Sequence, residues 1–251
     1  MLFSCSSDDS SGDNSNNSGF QLPLTSNKFW TYKVHGQTGE TRDSLYISGD
    51  TIIDSKTYKR FDVRNGLATG FYSNSLRNNG VREFDNKLLL SGDLSMGLGQ
   101  NLPIALDLTL SDFIIFKKNA TNGEALSLIE NSVQQDFGGY PLTINYKLKS
   151  IGGESLAAYT SNGVNYTDVK TSKIVLRASI TTVQTVMGFT VTIPIMQEQD
   201  VLVSTQYIAN GIGVVYTKTD MQYQLNASIP ITLPIPSSGS TTQEEFLDTH
   251  N

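Results

Sequence analysis

The sequence predicts an all-β protein: one antiparallel β domain with few or no helices, folded as a curved open half-barrel, a closed barrel or a sandwich. Three observations predict it. Apolar and polar residues alternate in segment after segment, the period of a half-buried strand. Asn-Gly and Gly-Asp pairs at 65–66, 79–80 and 92–93 punctuate those segments as hairpins and loops require. No long amphipathic helical run exists to cross over a parallel sheet.

Taken in order, residues 6–19 hold Ser, Asp, Asn and Gly with no apolar residue, so 5–19 reads as an acidic tether and the domain opens at Phe20. In FWTYKVHG (29–36) Trp30, Tyr32 and Val34 share one face, and Trp30 belongs in the core. DSLYISGDTIIDSKTYKRFDV (43–63) predicts a strand, a turn around Gly49-Asp50, and a second strand through Phe61 and Val63. NKLLLSG (86–92) is a short buried run, and ALDLTL (105–110) sets Leu106, Leu108 and Leu110 on one face. EALSLIENSVQQ (124–135) fits either a strand or a short helix with Leu126, Ile129 and Val133 at helical spacing.

Alternation resumes in PLTINYKLKSIGG (141–153), YTDVKTSKIVLRASI (166–180) and FTVTIPI (189–195). The last puts Phe189, Val191, Ile193 and Ile195 on one side. The strongest pattern places Met221, Tyr223, Leu225, Ala227, Ile229, Ile231, Leu233 and Ile235 at odd positions. That exceeds a typical strand of about 5–6 residues. Pro230, Pro234 and Pro236 put its second half at an edge or outside the sheet. Residues 237–251 read as an acidic tail with at most one helical turn from Thr241 or Thr242, so the domain spans 20–236.

Charge excludes one class of partner. The net charge is −6, and Asp8, Asp9, Asp13, Glu244, Glu245 and Asp248 carry all of it. The other 18 acids balance the 18 Lys and Arg, so the body is neutral and offers no basic footprint for nucleic acid.

Chemistry-bearing patterns are few. His35 and His250 are the two histidines, and neither has a His or Cys partner nearby in sequence. Gly92-Asp93-Leu94-Ser95-Met96-Gly97 has the wrong spacing for a nucleophile elbow. Gly97-Leu98-Gly99 and Gly211-Ile212-Gly213 are incomplete as nucleotide fingerprints and read as turn or bulge glycines. Asp43, Asp50 and Asp54 lie close together but form no calcium loop. No catalytic set, metal site or cofactor is expected.

The single cysteine, Cys5, cannot form an intramolecular disulfide and has no base to activate it. An accessible thiol ahead of a polar tether suits lipidation. Leu2-Phe3-Ser4-Cys5 resembles the lipobox of bacterial lipoproteins, with residues 1–4 as the remnant of a signal peptide. Four residues are too few for a secretory signal, so the resemblance implies an apolar stretch upstream of Met1. If Met1 is the true start, that reading falls. Ser6-Ser7-Asp8-Asp9 resembles the export signals of surface lipoproteins in the Bacteroidota, and a plain acidic linker is the competing reading. Asp43-Ser44-Leu45 and Asp50-Thr51-Ile52 resemble the O-glycosylation pattern of that phylum, which marks Ser44 and Thr51. NKFWTYKVHG (27–36), RDSLYISGDTIIDSKTYKRF (42–61), GFYSNSLRNNGVR (70–82) and YIANGIGVVY (207–216) resemble small uncharacterised flavobacterial lipoproteins. The resemblance implies a palmitate-bearing protein of the outer membrane or cell surface, held through lipid on Cys5, and no reaction.

The expected function is therefore binding rather than catalysis, with a lipid or other apolar ligand cupped by a curved sheet. A surface hydrolase of polysaccharide and a structural or adhesive module are the alternatives.

Overall fold

The computed structural model describes residues 20–95, 106–137, 139–186, 188–228 and 236–251. Its strands in chain order are β1 (Phe29–Gly36), β2 (Gly39–Ile53), β3 (Lys56–Val63), β4 (Gly80–Phe84), β5 (Lys87–Ser95) and β6 (Asp107–Lys117). Then follow β7 (Ala125–Phe137), β8 (Tyr140–Ser161), β9 (Val164–Val186), β10 (Phe189–Ala209), β11 (Gly213–Gln224) and β12 (Ser238–His250). One six-residue helix, α1 (Phe71–Leu76), lies between β3 and β4.

All twelve strands form one antiparallel sheet, ordered β6-β5-β4-β3-β2-β1-β12-β11-β10-β9-β8-β7. Every neighbour is a neighbour in sequence except β1 and β12, which close the chain's two ends on each other. The sheet curls until β6 and β7 touch without a ladder, leaving a nearly closed up-and-down barrel with one seam. Single side-chain bonds cross the seam region: Ile114 N–H to Ser127 Oγ at 2.9 Å, and Ser172 Oγ to the Ile115 carbonyl at 2.7 Å. One continuous sheet rules out the sandwich.

Inward residues build the core, with Trp30, Tyr32 and Val34 of β1 buried as their alternation predicts. Leu106, Leu108 and Leu110, and Leu142, Ile144 and Leu148, do the same from β6 and its flank and from β8. Trp30 stacks on Phe61 at 5.9 Å and donates to the Ile212 carbonyl at 2.7 Å. Leu22 and Leu24 pack against the core, and Phe20 is buried on Phe116, so the segment closes the barrel end where the chain enters.

Four expectations change. The ambiguous 124–135 segment is strand β7, because β8 supplies a partner over its whole length. Gly49-Asp50 is not a turn: β2 runs on to Ile53, and Asp54-Ser55, with φ of 48° and 63°, makes the two-residue hairpin. Gly92 likewise sits inside β5, at a register shift, with φ 131°. There a Cβ would meet Asn79 Oδ1 at 2.1 Å, the atom that accepts the Asp93 N–H. Residues 237–251 are not a tail with a helical turn: 238–250 form β12, held between β1 and β11. Its acids have partners, since Asp248 pairs with Arg42 at 2.6 Å and with Lys33 at 3.5 Å, and Glu244 accepts from Tyr216 at 2.5 Å. The odd-position alternation ends in β11 at Gln224, with Met221, Tyr223 and Leu225 buried; residues 229–235 lie outside the described residues.

Candidate functional site: a gripped helix over a polar belt in the barrel lumen

The chain between β3 and β4 turns into the barrel, and α1 fills part of its lumen. A helix start leaves backbone N–H groups without partners, and α1 has no side-chain cap of its own. The barrel wall provides the acceptors. Asp43 of β2 accepts from the N–H and hydroxyl of Thr69, both at 3.0 Å, and from Gly70 N–H at 2.8 Å. From β12, Gln243 accepts from Phe71 N–H at 2.6 Å, and Glu245 accepts from Tyr72 N–H at 2.6 Å and Ser73 Oγ at 3.1 Å. Gly70 permits the approach, because a Cβ there would lie 2.1 Å from Glu245 Oε2.

Asp43 and Glu245 are both buried. Burial pushes the Glu245 carboxyl up to about 7, and the nearby Asp43 charge adds to the rise, while the hydrogen bonds from Tyr72 and Ser73 oppose it. Tyr72 meets Tyr32 edge-on at 5.7 Å, and burial raises both phenols well above their ordinary range. Neither ring is a base at neutral pH.

Below this grip an inward polar row crosses four strands. Glu245 pairs with Thr217, Thr217 with Gln206, and Gln206 with Ser172, in direct register from β12 to β9. Ser172 is satisfied across the seam. The Thr217 hydroxyl is buried with no partner among the described residues, and Gln206 beside it is 6% exposed. Two small apolar cavities flank it, of about 40 Å³ and about 20 Å³, and Gln206, Tyr72 and Leu76 line both. Each holds a water or two, whereas ligand pockets run to about 300–1,000 Å³. No histidine, cysteine or lysine lines either cavity. The arrangement can hydrogen-bond a polar group in apolar surroundings; it presents no nucleophile with a base.

The residues singled out from sequence fall elsewhere or serve the framework. Cys5 and Gly97-Leu98-Gly99 lie outside the described residues. Ser44 and Thr51 stand half-buried on β2. Asp43 faces inward to α1, and Asp50 pairs with Lys59 at 2.5 Å. Gly211 and Gly213 turn the chain between β10 and β11 with φ of 73° and 102°. His35 contacts Glu40 at 3.0 Å and packs on Phe246, and His250 is exposed at the end of β12. Among the described residues no three His, Cys, Asp or Glu side chains gather as a metal site would require.

Sequence reasoning missed α1, Glu245, Gln206 and Thr217. One signal was available: in VLVSTQYIA (201–209) Gln206 shares its period-two face with Leu202. No protein-family model, curated protein or solved structure matches the chain.

Proposed function

We propose that this is a non-enzymatic, lipid-anchored protein of the outer membrane or cell surface that carries an apolar ligand with a polar head inside its barrel. The observation that carries the ligand reading is the Thr217 hydroxyl, buried with no partner among the described residues, set beside Gln206, which lines two apolar cavities. Leaving such a hydroxyl unpaired costs about 1–3 kcal/mol, which a ligand head would recover. Room for the tail comes from α1. Six residues are too few for a self-sustaining helix. Withdrawing Tyr72 and Leu76, which line both cavities, would merge the two. The anchoring reading rests on the lipobox-like Leu2-Phe3-Ser4-Cys5 ahead of the acidic tether.

Native mass spectrometry of the full chain, gently released from membranes, is expected to show a bound amphiphile. Incubation with a fluorescent long-chain fatty acid is expected to load the lumen, and Gln206→Leu to weaken that binding about tenfold. A clean apo mass together with no probe binding would overturn the ligand reading. For the anchor, Cys5→Ser in the protein with its upstream coding sequence should abolish palmitate labelling and membrane partitioning. Retained labelling removes Cys5 as the lipid site.

A further inference from the structure

The barrel has two unlike ends. The end with Phe20 and Asn251 carries the β2–β3, β4–β5, β6–β7, β8–β9 and β10–β11 connections. At three of these, charge is dense: Asp50–Lys59, Lys87–Asp85 and Lys117–Glu124 ion pairs stand there. The far end carries the β1–β2 turn, where His35 meets Glu40, the β3–β4 connection with Arg64 and Arg77, and the β7–β8 and β9–β10 hairpins, and along these two hairpins charge stops abruptly. Glu130, Lys147, Arg177 and Asp200 stand directly opposite one another across β7 to β10. Glu198 joins them, 3.0 Å from Lys147. Beyond that row, residues 137–146 and 178–197 contain no charged side chain. Asp136 is the one charge past the row on these strands, and it accepts the Gly139 N–H of its own turn at 3.1 Å. In sequence, residues 94–106 and 221–243, which join β5 to β6 and β11 to β12, are also free of charge.

The β9–β10 hairpin runs about ten residues past the row on each strand, roughly 33 Å of strand. Its apolar period outlasts the core: Ile195 is fully buried, yet Val191 is 43% exposed and Phe189, at the tip, 76%. Val183 adds a third exposed apolar side chain, 45% exposed. The two strands pair with each other there, Phe189 with Val186 and Val191 with Gln184, while their outer edges have no strand neighbour among the described residues, which keeps the contact at the hydrated interface rather than in the hydrocarbon.

We propose that this uncharged hairpin end docks on a zwitterionic lipid bilayer, with Phe189, Val191 and Val183 entering the boundary between headgroups and acyl chains. The charge pattern selects this occupant. An anionic surface is recognised by lysine and arginine, and the tip has none. A protein partner needs a contiguous apolar patch with a polar rim, whereas these side chains sit on a narrow projection. A bilayer interface accepts a protruding Phe and Val flanked by Thr190, Thr192 and Thr185, and excludes the ion-pair row, which sets the depth. The docking end is opposite the end that holds Phe20, and the contact does not require lipid on Cys5. It does not rest on the lumen ligand.

The test is flotation of the full chain carrying Cys5→Ser, which removes acylation, with phosphatidylcholine vesicles at low and high salt. Binding is expected at both salt concentrations without a gain from added anionic lipid. Phe189→Ser with Val191→Thr is expected to lower the partition coefficient at least about tenfold with the melting temperature unchanged. Ile52→Ser, at the opposite end and 75% exposed, is expected to change nothing. In a Phe189→Trp variant, brominated lipid should quench the new tryptophan and spare the buried Trp30. Absence of flotation, binding that needs anionic lipid and fades with salt, or equal loss in Ile52→Ser would each overturn the proposal. A dimer that forms without lipid and dissociates on Phe189→Ser would also overturn it, assigning the tip to a second copy.

Discussion

In the half of the barrel built from β1–β6, carboxylates are saturated with donors; in the half built from β7–β12, inward polar groups are left short of them. Asp112 of β6 accepts from Lys56 at 2.5 Å, Tyr58 at 2.7 Å and two Arg82 nitrogens at 2.9 Å. It thereby ties β3, β4 and β6 at a point where its own φ is 48°. Across the barrel, among the described residues, Thr217 and Ser150 keep buried hydroxyls without partners, and Glu245 sits buried with no cation among its hydrogen-bond partners. The strands differ as well: β4 has 5 residues, while β8, β9 and β10 have 22, 23 and 21. The first half is a braced frame. The second is a long wall with unused hydrogen-bonding capacity inside and an uncharged projection at its end.

The largest expected effect breaks the brace. Asp112→Ala should lower unfolding stability by about 3–4 kcal/mol in urea titration, because it strands Arg82 and frees Tyr58 in partly buried surroundings. Arg82, with Lys56 and Tyr58, holds the Asp112 carboxyl well below the usual carboxylate range. Its contribution is present above the ordinary aspartate pKa and is lost as pH falls toward the depressed value. A loss below about 1 kcal/mol would show that β3, β4 and β6 do not depend on this cluster.

Glu245 should respond to pH with the opposite sign. Its carboxyl is raised from 4.5 to about 7 in the folded protein, so the folded state holds this proton more firmly than the unfolded one. Stability from this group is complete below the ordinary glutamate pKa and declines as pH rises through about 7, by at most about 3 kcal/mol. Urea midpoints measured from pH 5 to pH 8 should fall for the wild type and flatten in Glu245→Gln, which keeps an acceptor for Tyr72. An unchanged slope in Glu245→Gln would assign the pH dependence to other groups.

These two carboxylates also show what a sequence can reveal. Alternation exposed β1, β8 and the first half of the 221–235 run, because packing on one face is written residue by residue in the period. It could not reveal β12. TTQEEFLDTH is acidic because Glu245 turns inward to α1 while Glu244 and Asp248 meet Tyr216, Lys33 and Arg42, partners far away in the chain. Gly92 read as a turn because the sequence marks a need for unusual backbone, and a bulge needs it as much as a hairpin does. Gln206 and Thr217 carry meaning only once their register across β10 and β11 is known.

A smaller effect should separate stability from binding in the second half. Gln206→Leu replaces a 6%-exposed polar side chain among apolar neighbours and should raise stability by about 1 kcal/mol while weakening the fatty-acid probe. A residue kept only for packing would not gain stability when replaced by an apolar side chain of similar size. A net loss in urea titration would mean that Gln206 is already satisfied in the empty protein.

The smallest effect tests whether the ion-pair row on the long wall belongs to the frame. Arg177 and Asp200 are as close as the Arg82–Asp112 pair, at 2.7 Å against 2.9 Å. Distance alone would rank them equal. Exposure separates them: the Arg177 and Asp200 side chains are 39% and 37% accessible, against 18% and 23% for Arg82 and Asp112. Water and salt screen the first pair, so Asp200→Ala should cost no more than about 0.5 kcal/mol, and that cost should vanish at high ionic strength. The row then marks where the uncharged hairpin begins without bracing it. A loss comparable to that of Asp112→Ala would instead make both walls frames, and the distinction between the halves would have to rest on Gln206 and Thr217 alone.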